Sequence, residues 1–319
     1  MKRIAYIDFI KVFAMFIVTI GHCAQALSCQ TFPEKIIPND FFVSIHMPLF
    51  MIASGYVLNF DKIREKPFKE YINGKFSRLI IPMLMYILIY CIVTFQIPKM
   101  DYVFNTYWYL SALFISLLVI RVFASIIKNN TTLIVLTLIV VLLIPFSKTS
   151  HVNFMFPFLI YGYFLKRYID KLNCTYLILF AVLFLILYVF CWEIEYTIYL
   201  TPFYILSLDK KTIYSFSLRF IIGICGSTFI FIIIRKFDTA SFVQKISYYG
   251  KYTLVFYTMT TIINGFTRRT FSFFNIALSN PYIIDFAAII FSLIQMYIIY
   301  LYAKRIKKYK IASKLLLGC

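Results

Sequence analysis

Long apolar runs alternate along the chain with short polar connections, and the lengths of the runs decide what they are. A bilayer core of about 30 Å is crossed by roughly 20 mostly apolar helical residues, with about 17 to 25 tolerated. Ten segments fit this pattern: Asp8 to Leu27, Phe41 to Phe60, Leu79 to Ile97, Tyr107 to Ala124, Thr132 to Phe146, Asn153 to Leu165, Cys174 to Trp192, Tyr214 to Ile234, Tyr248 to Asn264 and Tyr282 to Ala303. The fifth is borderline in length and the sixth is short. The expected fold is all-α, a polytopic membrane protein of about ten transmembrane helices.

Composition points the same way. Of the 319 residues 62% are hydrophobic and 14% charged, against about half and about a quarter in an average soluble domain. Phe (36) and Tyr (26) are so abundant that a soluble globule would lack the polar surface to cover itself. A net charge of +19 would suggest nucleic acid in a soluble protein. Here the Lys and Arg sit between the apolar runs, so they speak of topology and anionic lipid, and no nucleic-acid partner is expected.

Counted on alternate sides of the ten segments, one side holds roughly three times as many Lys and Arg as the other. The richer side carries Lys2 and Arg3, the 61–78 connection, Arg121 and Lys128, the 166–171 turn, the 235–245 connection and the tail after Ala303. Cytoplasmic loops are enriched in these residues, so both termini are expected in the cytoplasm and the chain in the cell membrane, with an even number of spans. Lys2 and Arg3 before an apolar run, with Ala24-Gln25-Ala26 after it, imitate a cleavable export signal, but Asp8, Lys11 and His22 are foreign to such a core. The seven cysteines show no paired ligand spacing and fall mostly within apolar runs, so neither a disulfide framework nor a metal site is expected. No Pro/Ser-rich linker and no convincing repeat interrupts the chain, so residues 1–319 read as one transmembrane domain.

Ionisable groups within spans cost at least about 2.5 kcal/mol each and are functional candidates by default. The first span has three: Asp8, Lys11 and His22. Eleven residues at 100° each return Lys11 and His22 to within about 20° of one helical face, roughly 16 Å apart along the axis. Asp8, three residues before Lys11, is placed to pair with it near the cytoplasmic surface, whereas His22 has no obvious local partner. A bland reading competes, in which Asp8 and Lys11 are an interfacial pair and His22 hydrogen-bonds a neighbouring helix.

Lys11 and Gly21-His22 are followed by His46-Met47-Pro48-Leu49-Phe50 leading to Ser54-Gly55-Tyr56, then by Lys75-Phe-Ser-Arg78-Leu-Ile-Ile-Pro82 and by Trp108-Tyr109-Leu110. In these motifs the chain resembles the bacterial acyltransferase family 3, whose first helix carries an Arg, less often a Lys, then ten residues and a His. The resemblance spans the first 125 residues well. Gly250-Lys-Tyr-Thr253-Leu254-Val-Phe-Tyr257 is a weaker echo of the family's Gly-x-x-Ser-Leu-x-x-Tyr pattern, and Thr260 stands where a His often follows. Lys11 also lacks the bidentate fork of Arg.

The resemblance implies a membrane acyltransferase that moves an acyl group, usually acetyl, from acetyl-CoA in the cytoplasm to a hydroxyl of an envelope or exported carbohydrate. Acetyl-CoA is then a donor substrate, and no permanently bound cofactor is expected. His22 is the candidate general base, because imidazole titrates near neutral pH. Lys11, Lys75 and Arg78 are candidates to meet the donor's phosphates, with Asp8 orienting Lys11, although basic inner loops alone would explain Lys75 and Arg78. His46, Ser54, Trp108 and Arg219 are candidates for the acceptor site. Their rivals are hydrogen-bonded packing for His46, small-residue packing for Ser54, an aromatic belt for Trp108 and snorkelling for Arg219. A transporter or flippase of a glycolipid or small solute is the alternative class, and the absence of repeats counts against it.

Overall fold

A computed structural model describes residues 3–30, 37–94, 106–143, 151–193 and 210–318, and among these it is helical without a strand. Its principal helices are α1 (Ala5–Ser28), α2 (Ile37–Tyr56), α3 (Phe60–Glu65), α4 (Phe68–Lys75), α5 (Ile81–Thr94), α6 (Trp108–Ile126) and α7 (Asn130–Leu143). They continue as α8 (Val152–Tyr168), α9 (Cys174–Cys191), α10 (Lys210–Lys236), α11 (Ser241–Ser247), α12 (Thr253–Phe273) and α13 (Pro281–Ile306). Each of the ten predicted segments falls mainly on helix, while residues 95–97 and 144–146 of the third and fifth lie outside the described residues. Among the described residues six helices are long and apolar enough to cross a bilayer, and Phe41–Tyr56 and Asn130–Leu143 are shorter apolar helices.

Lipid as solvent explains α9. Asn173 starts it by accepting from the backbone N–H groups of Thr175 and Tyr176, yet Phe184 is the one residue of the helix that is buried. In water a helix so uniformly apolar would have to be interred, whereas in hydrocarbon its side chains are already in a compatible medium. At α13 the start is set by Asn280, which accepts from Tyr282 and Ile283, with Pro281 at the first helical position where its missing N–H costs nothing.

The third predicted span is longer than expected. Residues Phe68–Val93 form one continuous helix, so α4, a π-helical turn at Phe76–Ile80 and α5 run together. The cause is local. Pro82 has no N–H to give to the carbonyl four residues back, Arg78, and its ring crowds that carbonyl. The wider turn just before it absorbs the mismatch. Lys75 and Arg78 therefore stand on a helix, where the sequence placed a loop.

The chain forms two compact units, one of Met1–His46, Pro82–Ile97 and Ile234–Cys319, the other of Met47–Ile81 and Pro98–Ile233. In the first, α1 lies against α11, α12, α13 and the turn Tyr248–Tyr252. Its start is held from outside: the Tyr6 N–H, one of the unpaired donors of a helix N-terminus, donates to Asp238 Oδ1 at 3.2 Å. Its far end is held by the Leu278 N–H donating to the Leu27 carbonyl at 3.0 Å and by Arg268 donating to the Cys29 carbonyl at 3.0 Å. Between these, Ile20, Cys23, Ala24 and Leu27 pack with Ile284 and Ala288, flanked by Phe42 from α2.

In the second unit, α2 and α8 meet through paired glycines. A Cβ on Gly55 would stand 1.9 Å from the Leu159 carbonyl oxygen, and one on Gly162 2.2 Å from that of Ile52. Gly223 of α10 makes a third close approach, where a Cβ would stand 2.9 Å from Phe158 and Pro48. Small residues that let backbones touch are the means of helix association where lipid supplies no hydrophobic drive.

Candidate active site

Helix α1 presents Lys11 and His22 from one face, as the spacing predicts, and both are half-buried. His22 has a partner that the sequence reading missed. Its Nδ1 lies 3.3 Å from Gln25 Oε1, one helical turn on. A carboxamide oxygen only accepts, so Nδ1 carries the proton and donates, which leaves Nε2 with its lone pair. The i, i+3 spacing of His22 and Gln25 was the available signal.

Asp8 differs from expectation. Its ion pair is with Arg3, Nε to Oδ2 at 2.8 Å, and not with Lys11, although its field still reaches Lys11. Arg3 precedes the helix and can fold back onto the carboxylate, an approach that helical spacing does not reveal. Asp8 also sits against Gly250, where a Cβ would stand 2.6 Å from the Asp8 Cβ and 3.0 Å from its Cα. The glycine of the weak ninth-segment motif thus has a physical reason: it lets the chain touch the start of α1.

Helix α12 meets α1 again one turn before His22. The hydroxyls of Thr260 and Thr19 are 3.5 Å apart, and both residues are wholly buried. The Gln295 carboxamide donates to the Thr260 carbonyl at 3.4 Å, and the Cys23 thiol donates to Gln295 Oε1 at 3.0 Å, with Asn264 Oδ1 3.5 Å from the same sulfur. Thr260, where the resembled family often has a His, is here part of a polar seam that fixes α1 against α12 and α13.

His46 of α2 is buried, and its Nδ1 donates to the Phe42 carbonyl at 2.6 Å, so its lone pair is also on Nε2. Phe42 packs on the cluster around Cys23, and His46 lies within electrostatic reach of His22. The first unit thus gathers Asp8, Lys11, His22 and His46.

The second unit holds the other candidates. Ser54 Oγ donates to the Phe50 carbonyl at 3.0 Å and lies 3.2 Å from the Tyr109 hydroxyl. The single serine proton is committed to the carbonyl, so Tyr109 is the donor between the two hydroxyls. Trp108 opens α6 and is 6% exposed, its ring edge-on to Tyr109 and, at 5.0 Å, to His151. It is interior and so differs from a lipid-facing belt residue. Arg219 is 3% exposed, its Nε donating to the Ser215 carbonyl at 3.1 Å and its guanidinium lying 5.2 Å from the Phe154 ring centre. That burial differs from snorkelling. Lys75 is half-buried with its ammonium over the Tyr71 ring at 5.5 Å, and Arg78 is exposed.

His151 was not read from the sequence as a candidate. It is buried, begins α8 in a left-handed conformation with φ of 48°, and packs on Trp108. Few non-glycine residues adopt that backbone. A lone His before an apolar run carried no motif to single it out. Among the described residues no group of three or more His, Cys, Asp or Glu is placed to hold a metal ion.

These features define a polytopic helical protein whose first helix displays a cation and a base-competent imidazole on one face. The family model described as "Acyltransferase domain", acyltransferase family 3, matches residues 4–301, and the chain belongs to that family. It is 31% identical over 183 residues to the nodulation protein NolL of Mesorhizobium japonicum, covering 52% of this chain and 48% of that protein. It is 25% identical over 183 residues to the nodulation protein NolL of Sinorhizobium fredii, covering 51% and 49%. The chain thus spans about half the length of these curated relatives. No solved structure matches it.

Proposed function

We propose that this protein is a multi-pass cell-membrane acyltransferase that moves an acetyl group from cytoplasmic acetyl-CoA to a hydroxyl of an envelope or exported carbohydrate. The observation that carries the reading is His22: its Nδ1–H is held by Gln25, its Nε2 keeps a lone pair, and Lys11 shares its helical face in a chain of this family.

In the reaction, His22 Nε2 accepts the acceptor's hydroxyl proton while that oxygen attacks the thioester carbonyl. The carbon–sulfur bond then breaks, and the CoA sulfur leaves with the proton that the imidazolium returns. Lys11, roughly 16 Å along the helix, meets the donor's phosphates, a separation suited to the extended pantetheine arm. Lys75 and Arg78 are the further basic candidates for the donor, and His46, Ser54, Trp108 and Arg219 are the candidates for the acceptor. Asp8, neutralised by Arg3, shapes the approach to Lys11.

Two outcomes test this arrangement. Lys11→Arg keeps more activity than Lys11→Ala or Lys11→Glu, because the role is positive charge beside phosphate; equal activity in all three removes Lys11 from the site. Single cysteines placed in residues 61–78, or after Lys304, react with an impermeant thiol reagent only from the cytoplasmic side. Labelling of either position in intact cells overturns the proposed topology, in which about ten spans leave both termini inside.

A further inference from the structure

On the other side of α1, the first unit carries a half-open apolar groove of about 350 Å³. Phe9, Phe13 and Phe16 of α1 lie on one wall, and Phe256 of α12 with Leu293 and Tyr300 of α13 are among the residues that face them. Phe13 is 200° around the helix from Lys11, so the groove faces away from the Lys11–His22 side. It is a separate feature from the proposed transfer site, and the inference does not rest on that reading.

The groove is graded along its length. Leu293 and Tyr300 share a face of α13, and Lys307, the residue that caps its C-terminus with helical dihedrals, continues the seven-residue spacing, so this face passes from apolar to aromatic to basic. At the aromatic end the ring of Tyr249, which lines the groove, packs on Tyr300 at 4.9 Å and on Tyr248 at 5.7 Å. Lys251 holds its ammonium 3.3 Å from the Tyr248 ring centre and 5.0 Å from that of Tyr252. Lys307 also acts electrostatically on the Tyr248 phenol, so Lys251 and Lys307 both lie near that ring. Of the acids at this end, Asp8 is ion-paired with Arg3, whereas Asp238 accepts from the neutral Tyr6 amide and keeps its charge; Lys245, Lys251, Lys304, Arg305, Lys307 and Lys308 outnumber it. Net positive charge therefore lies beside the tyrosines.

Apolar, then aromatic, then cationic is the order in which a phospholipid presents its acyl chain, glycerol region and phosphate. We propose that this groove holds an acyl chain of an anionic glycerophospholipid of the bilayer, with the lipid phosphate between Lys251 and Lys307. An ordinary lipid-facing surface lacks the concavity that places one acyl chain in register with the cations, and it takes whatever lipid is nearest.

The test places a reporter in the groove. Leu293→Trp is made in a chain carrying Trp108→Phe and Trp192→Phe, and the protein is reconstituted in phosphatidylcholine containing brominated phosphatidylglycerol or brominated phosphatidylcholine. Fluorescence quenching then gives the relative binding constant at the groove. Phosphatidylglycerol is expected to be preferred about 5-fold or more, since a basic side chain near an anionic headgroup contributes about that factor. Lys251→Gln and Lys307→Gln each lower the preference several-fold, while Lys310→Gln leaves it unchanged. A preference near one, a preference that survives both substitutions together, or an equal loss with Lys310→Gln overturns the proposal. Melting temperatures of the variants separate a lost site from a lost fold.

Discussion

His22→Ala is expected to lower turnover about 100-fold or more and to leave donor binding nearly unchanged, the usual consequence of removing a general base, which is the role proposed for His22. The reason lies in the two ring nitrogens. Gln25 occupies Nδ1, so the nitrogen left to act is Nε2, and alanine removes it along with the ring. Lys11 and the other proposed donor contacts are untouched by the change, so the affinity for acetyl-CoA, the proposed donor, is expected to stay as it is in the parent. The check is a pair of measurements on the purified protein in bilayers, acetyl-CoA affinity by titration and release of CoA thiol in the presence of acceptor. Near-normal turnover in a well-folded variant removes the mechanism. Lost donor affinity instead makes His22 a donor-holding residue.

Gly55→Ala is expected to give the largest loss of stability of any single methyl added to this chain. The new Cβ would stand 1.9 Å from the Leu159 carbonyl oxygen and 2.7 Å from its carbon. Both atoms are backbone, so no side chain can swing away, and α2 and α8 must separate. Overpacking of this kind costs roughly 1 to 3 kcal/mol or more, and separation also loosens the reciprocal contact at Gly162. The measurement is the thermal midpoint in detergent. A built-in comparison is Gly74→Ala in α4, where nothing lies within 4 Å of the added carbon and helix propensity alone changes, in alanine's favour. Gly55→Ala melts well below the parent and Gly74→Ala at or slightly above it; equal midpoints for the two would mean that the helices do not touch there.

Much of the helical framework was legible because lipid imposes a coarse rule. A run of about 20 apolar residues has few alternatives to a helix in hydrocarbon, and the described part of each predicted segment falls mainly on helix, with residues 57–59 near the end of the second among the exceptions. Boundaries followed less closely. The third helix starts eleven residues early, at Phe68, because amphipathic residues such as Lys69, Tyr71 and Lys75 continue a helix without extending its apolar run. Lys11 and His22 were legible from periodicity alone, since both stand on one unbroken helix.

Partnerships were not legible where they join residues distant in sequence. Asp8 meets Arg3 and Gly250, Tyr6 meets Asp238, and Thr19 meets Thr260, the last three pairs more than 230 residues apart in sequence. No local spacing encodes such contacts. Gly55 shows the middle case: small-residue packing was one of the two readings given for its neighbour Ser54, and at Gly55 the carbonyl of Leu159 shows such packing. Trp108 and Arg219 likewise carried an interfacial and an interior reading, and burial of 6% and 3% exposure places both inside.

The central claim is acyl transfer to carbohydrate, and its most direct test is the alkali-labile acetate on envelope and exported carbohydrate of the native host. It is measured with the gene intact, with the gene deleted, and with the deletion restored by the parent chain or by His22→Ala. The account predicts that deletion removes the ester acetate and leaves the sugar backbone in place, and that the parent chain restores it while His22→Ala does not. Ester acetate unchanged by deletion, or restored equally by His22→Ala, contradicts the account; loss of the backbone itself identifies a transporter in its place.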